Sequence, residues 1–119
     1  VFDPAKDKEV FDESDWLEPG KLTAVYDKSK VMAERLAWKF HSELPEADRF
    51  EMITIHPGFI IGPVLIKTPF TSEEIINKLM MGKFPGLPKI YMAVVDVRDV
   101  ALAHLRALDC TANQRYIVT

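Results

Sequence analysis

The longest regular pattern in the chain runs from Leu22 to Leu44. Val25, Tyr26, Val31, Met32, Ala33, Leu36, Ala37, Trp38, Phe40 and Leu44 recur there at helical spacing, with Asp27, Lys28, Glu34, Arg35 and Lys39 between them. Pro45 ends this helix, because the residue before a proline is pushed out of the α region. A short apolar run, Met52 to His56, follows and leaves directly into Pro57-Gly58, which predicts a buried strand feeding a loop. A long amphipathic helix followed by a short, mostly apolar strand already points to an α/β chain.

The remaining segments continue the alternation. GFIIGPVLIKTPF is apolar but broken by Gly62, Pro63 and Pro69, so it is expected to pack while staying non-helical, as loops that line sites do. Thr71 or Ser72 can cap a helix whose first turn holds Glu73 and Glu74 and whose apolar face is Ile75, Ile76, Leu79 and Met80. Ile90 to Val95 reads as a second strand. Asp96, with Asp99 three residues later, reads as the cap of a helix carrying Val97, Val100, Ala101, Ala103, Leu105 and Leu108. Asn113 and Gln114 turn into a last strand, Arg115 to Val118. The opening segment, VFDPAKDKEVFDESDWLEPG, is acidic and broken by Pro and Gly. It reads as an irregular loop anchored by Phe2, Phe11 and Trp16. A chain that starts in a loop, without methionine, is expected to begin at a fragment boundary.

Composition matters here mainly for what it excludes. With 119 residues, 48% of them hydrophobic and 28% charged, the chain suits one compact α/β unit. A net charge of -3 with scattered lysines and arginines offers no basic stripe, so nucleic acid is not an expected partner. The single cysteine, Cys110, forms no internal disulfide and no metal-ligand pair. It is expected to be inert and fits a reducing, cytoplasmic setting. No membrane-length apolar run occurs, and membrane is not expected as a partner. His41, His56 and His104 lie far apart without carboxylate or cysteine at ligand spacing, so they read as structural or surface residues and no metal is expected.

Chemistry enters with Tyr26-Asp27-Lys28-Ser29-Lys30. Four residues advance a helix by about 400°, so Tyr26 and Lys30 stand one turn apart on nearly one face and can act on one ligand. An ammonium beside a phenol favours the phenolate, which turns a poor acid/base into a usable one. Read on spacing alone, the pair is better explained as a partly buried helix tyrosine beside a surface lysine. Asp96, Arg98 and Asp99 also form a charged cluster, for which capping and a local ion pair are sufficient explanation.

Taken together, YDKSKVMAERLAWKF, ITIHPGFIIGP, TSEEIINKLMMGKFPGLPK, VVDVRDVALAHLRAL and RYIVT, with the acidic FDESDW ahead of them, resemble the extended short-chain dehydrogenases/reductases. The branch is that of the dihydroflavonol-reductase-like, aldehyde-reductase-like and 3β-hydroxysteroid-dehydrogenase-like enzymes. The resemblance covers almost the whole chain. It implies the C-terminal part of a doubly wound, Rossmann-like α/β reductase that uses NADPH, or NADH, to reduce a ketone or aldehyde. It implies Tyr26 as the general acid/base and Lys30 as its electrostatic partner and ribose anchor, with both residues binding the cofactor. Pro57, Gly58 and Phe59 would form the turn beside the nicotinamide, and Ser72, with Thr71, would lie near the pyrophosphate. For Ser72 the simple helix cap stands as the alternative. His56 would sit at the end of the strand next to that turn, and Val64 to Phe70 with Phe84 to Lys89 would border a hydrophobic carbonyl substrate.

Two parts of the family pattern are missing from this stretch. None of the five glycines forms the phosphate-binding fingerprint. The family's serine or threonine upstream of the tyrosine would fall before Val1, and Ser14, Thr23 and Ser29 do not take its place. The expectation is therefore a chain inactive on its own that self-associates or packs differently to cover Met52 to Ile55 and Ile90 to Val95. The alternative is a non-catalytic reductase homologue serving as a binding or oligomerisation module.

Overall fold

A computed structural model describes residues 10–22, 24–66, 71–86 and 92–119. The elements run α1 (Val25–Glu43), β1 (Ile53–Pro57), β2 (Phe59–Ile61), α2 (Thr71–Met80), β3 (Val94–Asp96), α3 (Val97–Ala107) and β4 (Gln114–Val118). Short 3-10 turns cover Pro19–Lys21 and Glu46–Asp48. The described residues fall into two compact units. One comprises those up to Thr54 together with Thr111–Tyr116; the other comprises Ile55–Cys110 with Ile117–Thr119. The strands pair as β1 with β4 and as β2 with β3.

In the first unit α1 begins at Ala24, whose carbonyl accepts the Lys28 N–H at 3.1 Å, and has no side-chain cap. It ends before Pro45 as expected, and Arg49 satisfies two of the last carbonyls, on Leu44 at 3.0 Å and Ser42 at 3.1 Å. The apolar periodicity of α1 does not predict which side turns inward. Val25 is 84% exposed, Leu36 67% and Phe40 57%, while Glu34, Arg35 and Trp38 are half-buried and His41 is buried.

The reason is polar bonding on that side. The His41 ring nitrogen Nε2 lies 2.6 Å from the Phe50 carbonyl, and Trp38 Nε1–H donates to Glu34 at 3.3 Å. The Arg115 guanidinium donates to both Glu34 oxygens, at 2.6 and 3.3 Å. Arg115 also donates to the carbonyls of Glu13 and Asp15 and lies 3.9 Å from the Trp16 ring centroid. Arg35 donates to the Leu17 carbonyl at 2.7 Å and to Glu18 at 2.9 Å. The FDESDW loop is thus clamped by one arginine of α1 and one of β4, with Trp16 as its anchor. Of the other expected aromatic anchors, Phe2 lies outside the described residues.

In the second unit β2 runs parallel to β3, with Phe59 opposite Val94, Ile60 opposite Val95 and Ile61 opposite Asp96. This corrects the expectation of a loop through GFIIGP: glycine and proline punctuate the segment, but the three residues between Gly58 and Gly62 are extended and paired. Gly58 is where the chain changes partner. Its N–H donates to the Val118 carbonyl at 2.9 Å, and the next N–H, of Phe59, donates to Ala93 at 2.7 Å.

The strand expected at Ile90 to Val95 is observed as Val94–Asp96, and Ile90 and Tyr91 lie outside the described residues. Asp96 then caps α3, its Oδ1 accepting the Arg98 N–H at 2.8 Å. Val95 and Val100, the two buried apolar side chains among the described residues, sit where β3 passes into α3.

Candidate active site

Tyr26 and Lys30 lie in the first two turns of α1, both exposed. The Lys30 ammonium is 5.3 Å from the centroid of the Tyr26 ring, so the one-turn offset does bring the two side chains together. Ser29, inside the interval, donates to the Tyr26 carbonyl at 2.6 Å and is occupied with the helix backbone. Ser14 is bonded to Asp12 within the loop, and Thr23 lies outside the described residues.

Pro57 closes β1, Gly58 links it to β2 and Phe59 opens β2. This corrects the sequence reading of Pro57 to Phe59 as a loop, because Pro57 and Phe59 are strand residues and Gly58 alone connects them. β1 ends and β2 begins on either side of Gly58 because the pairing partner switches from β4 to β3 at that point. Ser72 and Thr71 stand in the first turn of α2, but their side chains lie outside the described residues. Tyr26 and Lys30 belong to the first unit; Pro57, Gly58, Phe59 and Ser72 belong to the second. The apolar residues expected beside a substrate, Val64, Leu65 and Ile66, are 53%, 97% and 65% exposed. Residues 67–70 and 87–89 of the expected border lie outside the described residues.

The Asp96–Arg98 cluster is a cap and an ion pair, as its spacing suggests. Arg98 donates Nε–H and a terminal N–H to the carboxylate at 2.8 and 2.6 Å. These bonds, with that from the Arg98 backbone, hold the Asp96 carboxyl down at about 2 and raise the Arg98 guanidinium. On α2 the Lys78 ammonium, 2.7 Å away, lowers the Glu74 carboxyl by hydrogen bonding first and charge second. His104 turns Nδ1 to the Val100 carbonyl at 2.8 Å, and Cys110 Sγ–H donates to the Arg106 carbonyl at 3.6 Å. An open hollow of about 570 Å³ in the first unit is lined by Glu13, Trp16, Trp38 and residues 113–116, and contains neither Tyr26 nor Lys30. Among the described residues no helix is long and apolar enough to cross a membrane.

Can these residues serve a nicotinamide cofactor? An exposed phenol and an ammonium one turn apart give a proton-transfer group and three N–H donors suited to ribose hydroxyls, so the nicotinamide-ribose end fits. A pyrophosphate cradle is not offered by the glycines, of which Gly62 and Gly82 have positive φ and neither opens a helix.

The parallel pairing of β2 with β3 among flanking helices is an α/β arrangement. No family model matches the chain. It is 34% identical to the NADPH-dependent methylglyoxal reductase of Saccharomyces cerevisiae, an alignment covering 100% of this chain and 40% of that protein. It is 35% identical to a ketoreductase of Aspergillus niger, covering 98% and 38%. It is 34% identical to cinnamoyl-CoA reductase 1 of Arabidopsis thaliana, covering 98% and 34%. These relatives are NAD(P)-dependent epimerase/dehydratase proteins of the short-chain dehydrogenase/reductase superfamily, and this chain is similar to them over nearly its whole length. It spans well under half the length of these relatives.

Proposed function

We propose that this chain carries the proton-transfer half of an NADPH-linked carbonyl reductase acting on an aldehyde or ketone, within the dihydroflavonol-reductase-like branch. The observation that carries the reading is the Tyr26–Lys30 pair, exposed and one turn apart with the ammonium 5.3 Å from the ring. The names of the relatives support it: one reduces methylglyoxal with NADPH, one is a ketoreductase and one reduces cinnamoyl-CoA.

When bound, NADPH supplies the hydride that reaches the carbonyl carbon, and NADH is the alternative donor. Tyr26 gives its phenolic proton to the carbonyl oxygen. Lys30 holds the resulting phenolate by charge and donates a hydrogen bond to a ribose hydroxyl. Pro57, Gly58 and Phe59 border the nicotinamide, and Ser72 lies toward the pyrophosphate. The pyrophosphate cradle itself is assigned to polypeptide outside this stretch, so the 119 residues alone are inactive. The lone Cys110 agrees with a cytoplasmic setting.

The test replaces Tyr26 by Phe in the polypeptide as its gene encodes it, with NADPH oxidation followed over a panel of aldehydes and ketones. Loss of roughly 10²–10⁴-fold in kcat with cofactor binding unchanged is expected. Activity retained by Y26F removes Tyr26 from the reaction.

A second reading, a non-catalytic binding or oligomerisation module, is favoured by the exposed apolar side of α1, where Val25, Met32, Leu36 and Phe40 lie. Sedimentation of the 119-residue chain separates the two. A defined oligomer that takes up no NADPH and lacks activity even in its longer polypeptide supports the module.

A further inference from the structure

We infer that Arg115 is a positioning residue for the Tyr26–Lys30 pair, and that it acts by holding the Glu34 carboxylate away from Lys30; this rests on the reductase reading. Tyr26, Lys30 and Glu34 follow one another at four-residue steps along α1, so Lys30 has Tyr26 one turn behind it and Glu34 one turn ahead. A lysine between a phenol and a carboxylate at equal spacing is drawn to the carboxylate, the only one of the two with a full charge. In the structure the opposite holds. Lys30 stands by the Tyr26 ring, and both Glu34 oxygens are taken by the Arg115 guanidinium at 2.6 and 3.3 Å.

Arg115 is well placed to keep Glu34. The two side chains are only 15% and 14% exposed, so solvent screens their attraction little. The guanidinium is itself fixed by the Glu13 and Asp15 carbonyls and by the Trp16 face. Its planar fork meets the two carboxylate oxygens with separate N–H groups, a match that a point-like ammonium lacks. The FDESDW loop, to which the proposed chemistry assigns no step, thereby gains one: its carbonyls and Trp16 orient the arginine that keeps Glu34 occupied.

The experiment uses the polypeptide as its gene encodes it, with Arg115→Met, Arg115→Lys and the double variant Glu34→Gln/Arg115→Met. In R115M, Glu34 captures Lys30. An exposed ion pair of this spacing shifts the lysine's occupancy modestly, so kcat falls by about threefold with the cofactor KM nearly unchanged. R115K loses the fork and falls less. The double variant has no carboxylate to capture Lys30 and returns kcat to the wild-type value although the ion pair is gone.

A kcat that falls equally in R115M and the double variant, or that does not move in R115M, overturns the inference, since a purely structural brace behaves that way. NMR of the Lys30 ammonium provides a readout independent of turnover and of a folding defect in any one variant. Its signal must shift in R115M or R115K and return with E34Q, and an unchanged signal overturns the capture. A wild-type polypeptide that reduces nothing overturns the reductase reading instead, and is recognised before any variant is made.

Discussion

The carbonyl oxygen of Ala93 lies 2.5 Å from the point that a Cβ on Gly58 would occupy. The same oxygen accepts the Phe59 N–H at 2.7 Å, so it cannot move aside without breaking the first bond between β2 and the chain entering β3. Gly58→Ala therefore forces either a backbone shift or loss of that bond, and should destabilise the chain by roughly 1–3 kcal/mol. Gly20 is the control. Nothing lies within 4 Å of its added Cβ, so Gly20→Ala should leave stability within about 0.5 kcal/mol. Denaturant titration of the two variants against wild type checks both.

This contact also shows where the sequence was legible and where it was not. The presence of α1, its stop at Pro45 and the cap of α3 by Asp96 were readable because each depends on residues a few positions apart, although α1 begins at Val25 and not at Leu22. The closeness of Tyr26 and Lys30 was readable for the same reason. Strand β2 was not, since Phe59–Ile61 is extended only through pairing with β3, 35 residues downstream, while its local signals are the glycines and prolines of a loop. The inward side of α1 was not readable either. Apolar periodicity pointed to Leu36 and Phe40, but the partner of Glu34 on that side is Arg115, 81 residues away. One usable hint was in view: an arginine in a five-residue strand, Gln114–Val118, needs a carboxylate if it is to be covered.

The Asp96–Arg98 pair should leave a mark on acid stability. Hydrogen bonds from Arg98 depress the folded Asp96 carboxyl to about 2, below its ordinary value. A group with a depressed folded pKa stabilises the chain above its unfolded pKa and loses that contribution as pH falls through the folded one. The window is therefore between about 4 and about 2. Arg98→Met should melt at a lower temperature than wild type above this window, and the two should converge below it. Arg98 is 74% exposed at its side chain, so the difference should shrink in high salt. A difference that persists undiminished well below this window would assign the effect of Arg98 to packing.

The Glu34–Arg115 pair should be costly to break and cheap to replace. Arg115→Met takes the partner from a carboxylate only 14% exposed, and a new pair with the exposed Lys30 offsets little of that, so the cost is about 3 kcal/mol, the low end for a covered ion pair. Glu34→Leu together with Arg115→Met removes both charges and should recover most of that loss. Thermal melts of the single and double variants, arranged as a double-mutant cycle, measure the coupling. A double variant no better than R115M would mean that the bonds from Arg115 to the Glu13 and Asp15 carbonyls matter more than its charge pairing.

Lys30 should affect two kinetic constants where Tyr26 affects one. In the proposed reaction Tyr26 gives its proton to the carbonyl oxygen, so its loss lowers kcat and leaves cofactor affinity nearly unchanged. Lys30 faces the Tyr26 ring and, in the proposed reaction, also a ribose hydroxyl. Lys30→Met should lower kcat by about 10²-fold and raise the cofactor KM by about tenfold, the worth of one charge-assisted hydrogen bond. Lys30→Arg keeps the charge and a donor but changes reach and shape, so it should restore cofactor KM more than kcat. Steady-state kinetics of the three proteins with varied NADPH distinguishes these patterns. If K30M alters kcat alone, Lys30 does not touch the ribose and its role reduces to the charge beside the phenol.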